Sequence, residues 1–366
     1  MYRGKLWGRL VLGLALLPAG IAAVPDHSPA SPRTDRRFGP ETSIDVLLGQ
    51  DRREAFATAL AERRYGGRTH AWDRYADWGR QLVTRGRVAD PPVGPAPSAP
   101  LAGHYRCVHC HNLQREDDRL TLPNPDEREK LIRRLVLPRP DRRDGTAPAL
   151  TPGTTLWGAV NRERFYNGHY ARYHRLTVAD GRPMNPASLA DAVQVCCRYC
   201  SAGRFPEPWE LDSILAYLWE LELRLKDLDL PEPTARRALD DLLRADGRSK
   251  DRTRALLRYS YPRAAKATRC EPPQRSEGDT DCYADGTRVT GNAPRGRFLY
   301  QSACAGCHGT DIHPLAGAEL LKSDQRYHQF LWHGTERSGL YMPFFPAERL
   351  SRQQAADIRA YLRTLR

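Results

Sequence analysis

The chain has 366 residues, 57 Lys and Arg against 44 Asp and Glu, and a formal charge of +13. That length accommodates two domains and an extra segment. The basic excess is nearly all arginine and is scattered, the pattern of a solvated surface and not of a nucleic-acid module, so DNA and RNA are excluded as expected partners.

Taken in chain order, residues 1–23 read as an export signal. Arg3, Lys5 and Arg9 form a basic start, Leu10 to Leu17 a short apolar run broken by Pro18, and Ile21-Ala22-Ala23 a small-residue cleavage site. The run is too short to span a bilayer comfortably, and no later segment is apolar enough. The expectation is a cleaved chain starting near Val24, soluble in the periplasm or held loosely at a membrane surface. Its charge is then +10, enough to attract acidic partners.

Residues 24–69 form an N-terminal extension in which Ile44 to Arg64 has the pattern of an amphipathic helix lying on the domain that follows. Residues 70–226 are predicted to be a first domain. It opens with a helix around Trp78-Gly79-Arg80, continues through a proline-rich insert from Pro91 to Pro100, and reaches Cys107-Val108-His109-Cys110-His111. Two cysteines three apart on one turn point the same way and can form thioethers to one porphyrin, and the histidine that follows reaches the iron. Cys-x-x-Cys alone also serves zinc and thiol chemistry, but His111 lies inside the motif and not across a finger.

The pattern recurs at Cys304-Ala305-Gly306-Cys307-His308. Two covalent haems c are therefore expected, held by Cys107 and Cys110 and by Cys304 and Cys307, with His111 and His308 as proximal ligands. After Met1 the chain has two methionines, Met184 and Met342, each downstream of one motif and each beside a proline. Both are candidate distal ligands. At the second haem, Met342 in Tyr341-Met342-Pro343-Phe344-Phe345-Pro346 suits a ligand loop, since prolines spoil a helix or strand interior. His313, His328 and His333 read as surface or propionate contacts. At the first haem, Met184 ranks ahead of His169 and His174, then a cysteine. His104 and His109 sit too close to the attachment turn.

Five cysteines remain. Cys270 and Cys282 flank a polar stretch and read as a loop-closing disulfide in an oxidising compartment, within a proline-rich linker over 227–289. Cys196, Cys197 and Cys200 are an odd trio. Cys197-x-x-Cys200 would mark a third haem, but Ser201 stands where a histidine is needed. A structural disulfide of Cys196 or Cys197 with Cys200 is expected first. A thiolate beside the first haem, its pKa lowered by Arg198 and Arg204, is the alternative.

Residues 290–366 form the second domain. Ser351 and Gln354 have capping-box spacing, and Ala355, Ile358, Leu362 and Leu365 then fall on one helical face. This segment resembles a small class I cytochrome c domain through Cys304, Cys307, His308, Met342 and the closing Ala360-Tyr361-Leu362. Ile214-x-Ala216-Tyr217-Leu218 matches Ile358-x-Ala360-Tyr361-Leu362, and Trp78-Gly79-Arg80 matches Arg295-Gly296-Arg297. The first domain is thus similar to the second with longer loops, as after a duplication. The resemblance implies an all-α fold of two cytochrome c-like domains, an electron carrier and not an enzyme, with other redox proteins as partners. Cys196 to Arg204 is loosely similar to di-haem sulfur-oxidising cytochromes, which implies thiosulfate-type oxidoreduction as the alternative. A di-haem peroxidase ranks lower, since no acidic motif accompanies an open first haem.

Overall fold

The computed structural model describes residues 39–103, 105–115, 155–163, 165, 176–228, 230–231, 289–309 and 350–365, with scattered positions in 126–133, 233–251 and 321–345. Residues 1–23, expected to be an export signal, and Cys270, Cys282, His104, His169, His174, His313, His328 and His333 lie outside the described residues. Among the described residues no helix is long and apolar enough to cross a membrane.

The segment from Ile44 to Arg64, expected as one helix, is two. Helix α1 (Ile44–Leu47) is capped by the Ser43 hydroxyl, which accepts from the Asp45 amide. The chain turns at left-handed Gly49 (φ 68°) and restarts as α2 (Arg52–Glu62). Helix α2 is not the amphipathic helix expected: it buries Leu60 alone, against the cluster of Trp78 and Trp209. Ile44, Leu47 and Leu48 bury against Leu223, Leu225 and Leu228. Buried Asp212 takes both Arg63 and the Tyr65 hydroxyl.

Helix α3 (Trp72–Arg85) buries Tyr75, Trp78, Gly79, Leu82 and Val83, the three-and-four spacing of one helical face. It stops at left-handed Gly86 (φ 77°). Helix α4 (Leu189–Val195) runs into a π-turn at Cys196–Cys200, and α5 (Pro208–Glu220) closes the domain. Helix α5 starts with a proline in its first turn and a reciprocal cap between Glu207 and Glu210. Helices α3 and α5 meet at Gly79, where a Cβ would lie 1.9 Å from the Ser213 carbonyl oxygen. Only glycine permits that approach. Trp78, Leu82, Trp209, Ile214 and Leu218 fill the core on either side, each contributing roughly 2–3 kcal/mol by leaving water.

The second half repeats this construction. Helix α6 (Ala293–Ala303) and the short α7 (Ala305–His308) are separated by a break at Cys304, and α8 (Arg352–Thr364) packs across α6. The crossing is again at a glycine: a Cβ on Gly296 would lie 1.9 Å from the Asp357 carbonyl oxygen. Gly79 and Gly296, and Ser213 and Asp357, are the positions paired by the sequence repeat. The capping box at Ser351 and Gln354 forms as its spacing predicts. Leu365 departs from expectation: it lies past the last helical residue and is exposed, because the helix turns its Leu362 face inward one turn earlier.

The fold is helix-rich, as predicted, with one addition. Thr335–Arg337 (β1) pairs antiparallel with Leu340–Met342 (β2), so Met342 ends a short hairpin strand opposite Thr335. The prolines that argued against regular structure follow Met342 and leave its own amide available to a ladder.

Part of the long stretch after the first motif reaches α6 and α8. Glu129 is buried and takes Arg295 at 2.6 Å, with Arg133 at 2.7 Å and the Gln354 amide at 3.1 Å. Asp126 adds a second carboxylate to Arg295 at 2.6 Å, and the Arg133 guanidinium stacks 3.8 Å from the Phe298 ring. Burial alone would raise the Glu129 carboxyl, but Arg295, Arg133 and Gln354 outweigh it and hold the pKa below the usual glutamate value.

Candidate functional site

The first motif begins on a 3-10 turn, Cys107–His109. The Cys107 carbonyl accepts from the Cys110 amide at 3.1 Å and from the His111 amide at 2.9 Å, so both cysteines and His111 share one turn. Cys107 packs against the core formed by Val108, Cys197 and Trp78, and burial pushes its thiol up to about 12, with the nearby Cys110 thiol adding to the rise. His109 serves locally: its Nδ1 accepts the Arg106 amide at 3.2 Å.

The second motif follows the same logic on a different element. The Cys304 carbonyl accepts the His308 amide at 3.0 Å, and the Tyr300 hydroxyl donates to the Gly309 carbonyl at 2.8 Å, tying the end of the motif back to α6. Cys304 and Met342 border the same apolar cluster, which includes Leu299, Tyr300, Leu331 and Phe345. His308 is exposed and Met342 partly buried. Two sulfur-bearing residues bordering one apolar cluster, with a histidine one turn on, fit a thioether-bound porphyrin with a thioether ligand.

Met184 is placed differently. It is buried with Leu176, Val178, Ala192 and Val195 on one face of α4. Leu189, Val193 and Cys197 instead pack toward Cys107 and Val108. The Met184 loop is anchored: the Met184 amide donates to Leu176 at 2.9 Å, and Arg182 forks onto Asp191 at 2.6 and 2.7 Å. The structure thus brings Met342 to the cluster that holds Cys304, and puts Met184 in a cluster separate from the one holding Cys107.

The cysteine trio lies beside the first motif. Cys196 and Cys197 both feel Cys107, and the Cys196 and Cys200 thiols hydrogen-bond to one another. No disulfide joins Cys196 or Cys197 to Cys200, which departs from the first expectation. The alternative, thiols with pKa values lowered by arginine, departs too. The hydrogen bond to Cys200 and burial raise Cys196, and burial raises Cys197. The arginines are engaged elsewhere: Arg204 forks onto buried Glu210 with both bonds at 2.6 Å, and Arg198 donates to the Gly203 carbonyl at 2.9 Å. Among the described residues no three His, Cys, Asp or Glu side chains converge as a metal site.

One contact had no signal in the sequence. Tyr105, two residues before Cys107, packs against the cluster of Leu299, Tyr300 and Ile358, and its hydroxyl donates to the Ala303 carbonyl, one residue before Cys304. Its ring also meets His109 edge-on at 6.2 Å. The two attachment motifs are therefore linked through a single tyrosine.

Residues 291–362 match the family described as cytochrome C oxidase, cbb3-type, subunit III. That segment is thus similar to a cytochrome c domain, a likeness that suggests covalently bound haem c, electron transfer and redox-protein partners. No curated protein matches the chain.

Proposed function

We propose that this chain is a periplasmic di-haem cytochrome c that passes single electrons between redox proteins. The observation that carries the reading is the repeated construction. A second Cys-x-x-Cys-His turn borders the core of a second helix pair crossed at a glycine, in the same order as in the segment matched to the cytochrome family. Bound haem c supplies the one-electron iron couple. The chain supplies thioether anchors at Cys107, Cys110, Cys304 and Cys307, proximal ligands His111 and His308, and the distal ligand Met342. Met184 is the distal candidate for the first haem. The leader-like start and the basic surface support export and acidic partners, with loose association at an anionic membrane surface.

The carrier reading is favoured over thiosulfate-type chemistry because Arg198 and Arg204, the two arginines expected to hold the anion, are committed to protein acceptors. A pyridine haemochrome assay with intact mass should find two covalent haems; one or three overturns the proposal. Met184→Ala should open the first haem to carbon monoxide. An unchanged spectrum passes the ligand role to His169, His174 or a cysteine.

A further inference from the structure

The carrier reading gives the trio beside the first motif no task, yet its geometry is specific. Cys196 and Cys200 begin and end one π-turn, and their thiols are hydrogen-bonded to each other. A π-turn is a rare insertion in a helix and recurs at functional positions. The residues after it are equally constrained. Ala202 has a left-handed backbone (φ 53°), a conformation that costs a non-glycine residue and is kept only when its surroundings impose it. The surroundings do: the Gly203 amide donates to the Cys197 carbonyl at 3.1 Å, the Arg204 amide donates to the Leu101 carbonyl at 2.9 Å, and Glu210 locks the Arg204 side chain. This turn holds two thiols against each other, half-buried, next to Cys107.

We propose that Cys196 and Cys200 are a redox-active dithiol that takes electrons from thiol substrates and delivers them to the haem carried by the first motif. The inference rests on the di-haem reading for its electron acceptor. The two S–H bonds break, one S–S bond forms between Cys196 and Cys200, two protons leave to solvent, and two electrons pass singly to two ferric haems. The direction from sulfur to iron holds when the ferric haems have a higher potential than the Cys196–Cys200 disulfide. The disulfide is reset by exchange. An external thiolate attacks one sulfur and the other departs as a thiolate, and a second external thiol releases the first as its own disulfide. Cys197, more deeply buried in the apolar core, takes no part.

The test uses the full haem-loaded chain under anaerobic conditions. Stoichiometric titration with dithionite should consume two electron equivalents more than the haem spectra account for in wild type. Cys196→Ser and Cys200→Ser, each close to isosteric, should abolish that excess, while Cys197→Ser keeps it. Alkylation with peptide mass mapping on the same samples should show two of the three cysteines labelled in the protein reduced exhaustively by dithionite and protected in the fully ferric one. Reduction of ferric haem by glutathione should slow by about tenfold or more in Cys200→Ser. A pair that stays bonded after exhaustive reduction by dithionite is a structural crosslink, and a pair that stays alkylatable in the fully ferric protein is inert; either overturns the proposal. Haem content is assayed on each sample, so a missing first haem is seen as a failure of the di-haem reading and not of the dithiol.

Discussion

Replacing Gly296 by alanine tests the architecture at its tightest point. In an ordinary exposed helix interior this change stabilises by about 1 kcal/mol, because alanine loses less backbone entropy. Here the new Cβ would sit 1.9 Å from the Asp357 carbonyl oxygen, 2.4 Å from its carbon and 2.9 Å from the Ile358 nitrogen. All three obstacles are backbone, so no rotamer change relieves them. Helices α6 and α8 must part by roughly 1 Å, which loosens a core that includes Leu299, Tyr300, Ala355 and Ile358. Overpacking of this kind costs about 1–3 kcal/mol, and a backbone obstacle belongs at the upper end. After the helix-propensity gain the net loss is about 2 kcal/mol, or roughly 8–16 °C in melting temperature for a unit of the size of residues 290–366. Far-UV circular dichroism of the haem-loaded chain reads this directly. Gly39→Ala, with nothing within 4 Å of the new Cβ, is the control and should stay within about 0.5 kcal/mol of wild type. A Gly296→Ala protein as stable as wild type, or more so, would refute the crossing and with it the structural repeat.

Met342→His should lower the reduction potential of one haem and leave the other nearly unchanged, because imidazole stabilises ferrous iron less than a thioether does; spectroelectrochemical titration decides it, and two shifted potentials would contradict the assignment. Glu129→Gln should destabilise the protein at neutral pH by about 3 kcal/mol, since it leaves Arg295 and Arg133 facing a lost charge in a buried site. The folded pKa of Glu129 is depressed, so its stabilisation is complete above the ordinary glutamate value and is lost as pH falls through the lower folded value. Urea midpoints should therefore converge for wild type and Glu129→Gln as the pH is lowered, and midpoints that stay parallel would remove Glu129 from the acid transition.

What the sequence made legible was what depends on local order. The attachment turns need only five consecutive residues, and the cap at Ser351 and Gln354 only four. The repeat was readable because Gly79 and Gly296 sit in matching words, although the reason for the match, a helix crossing with no room for a side chain, emerged only in three dimensions. Met342 was found by its neighbours but placed in a loop, since the ladder partner Thr335 lies across a hairpin that no period announces. The trio at Cys196 was visible as unusual, but its proximity to Cys107 joins residues far apart in sequence. Tyr105, Glu129 and Arg295 carried no signal, because a single long-range polar contact leaves no periodicity behind.

The Glu129 network also sets an order of events on a growing chain. Residues 105 and 129 emerge long before residues 295 to 303, the positions that supply their partners. Until then a carboxylate destined for burial has no arginine of the second domain, and Tyr105 has no carbonyl at Ala303 to donate to. The crossing at Gly79 and the core around Trp78 and Trp209 draw on residues up to 221, whereas Glu129 and Tyr105 find these partners only once α6 is in place. Glu129 and the Tyr105 hydroxyl thus depend on residues 295 to 303 for their partners, and a change in α6 is expected to register at positions far earlier in the chain.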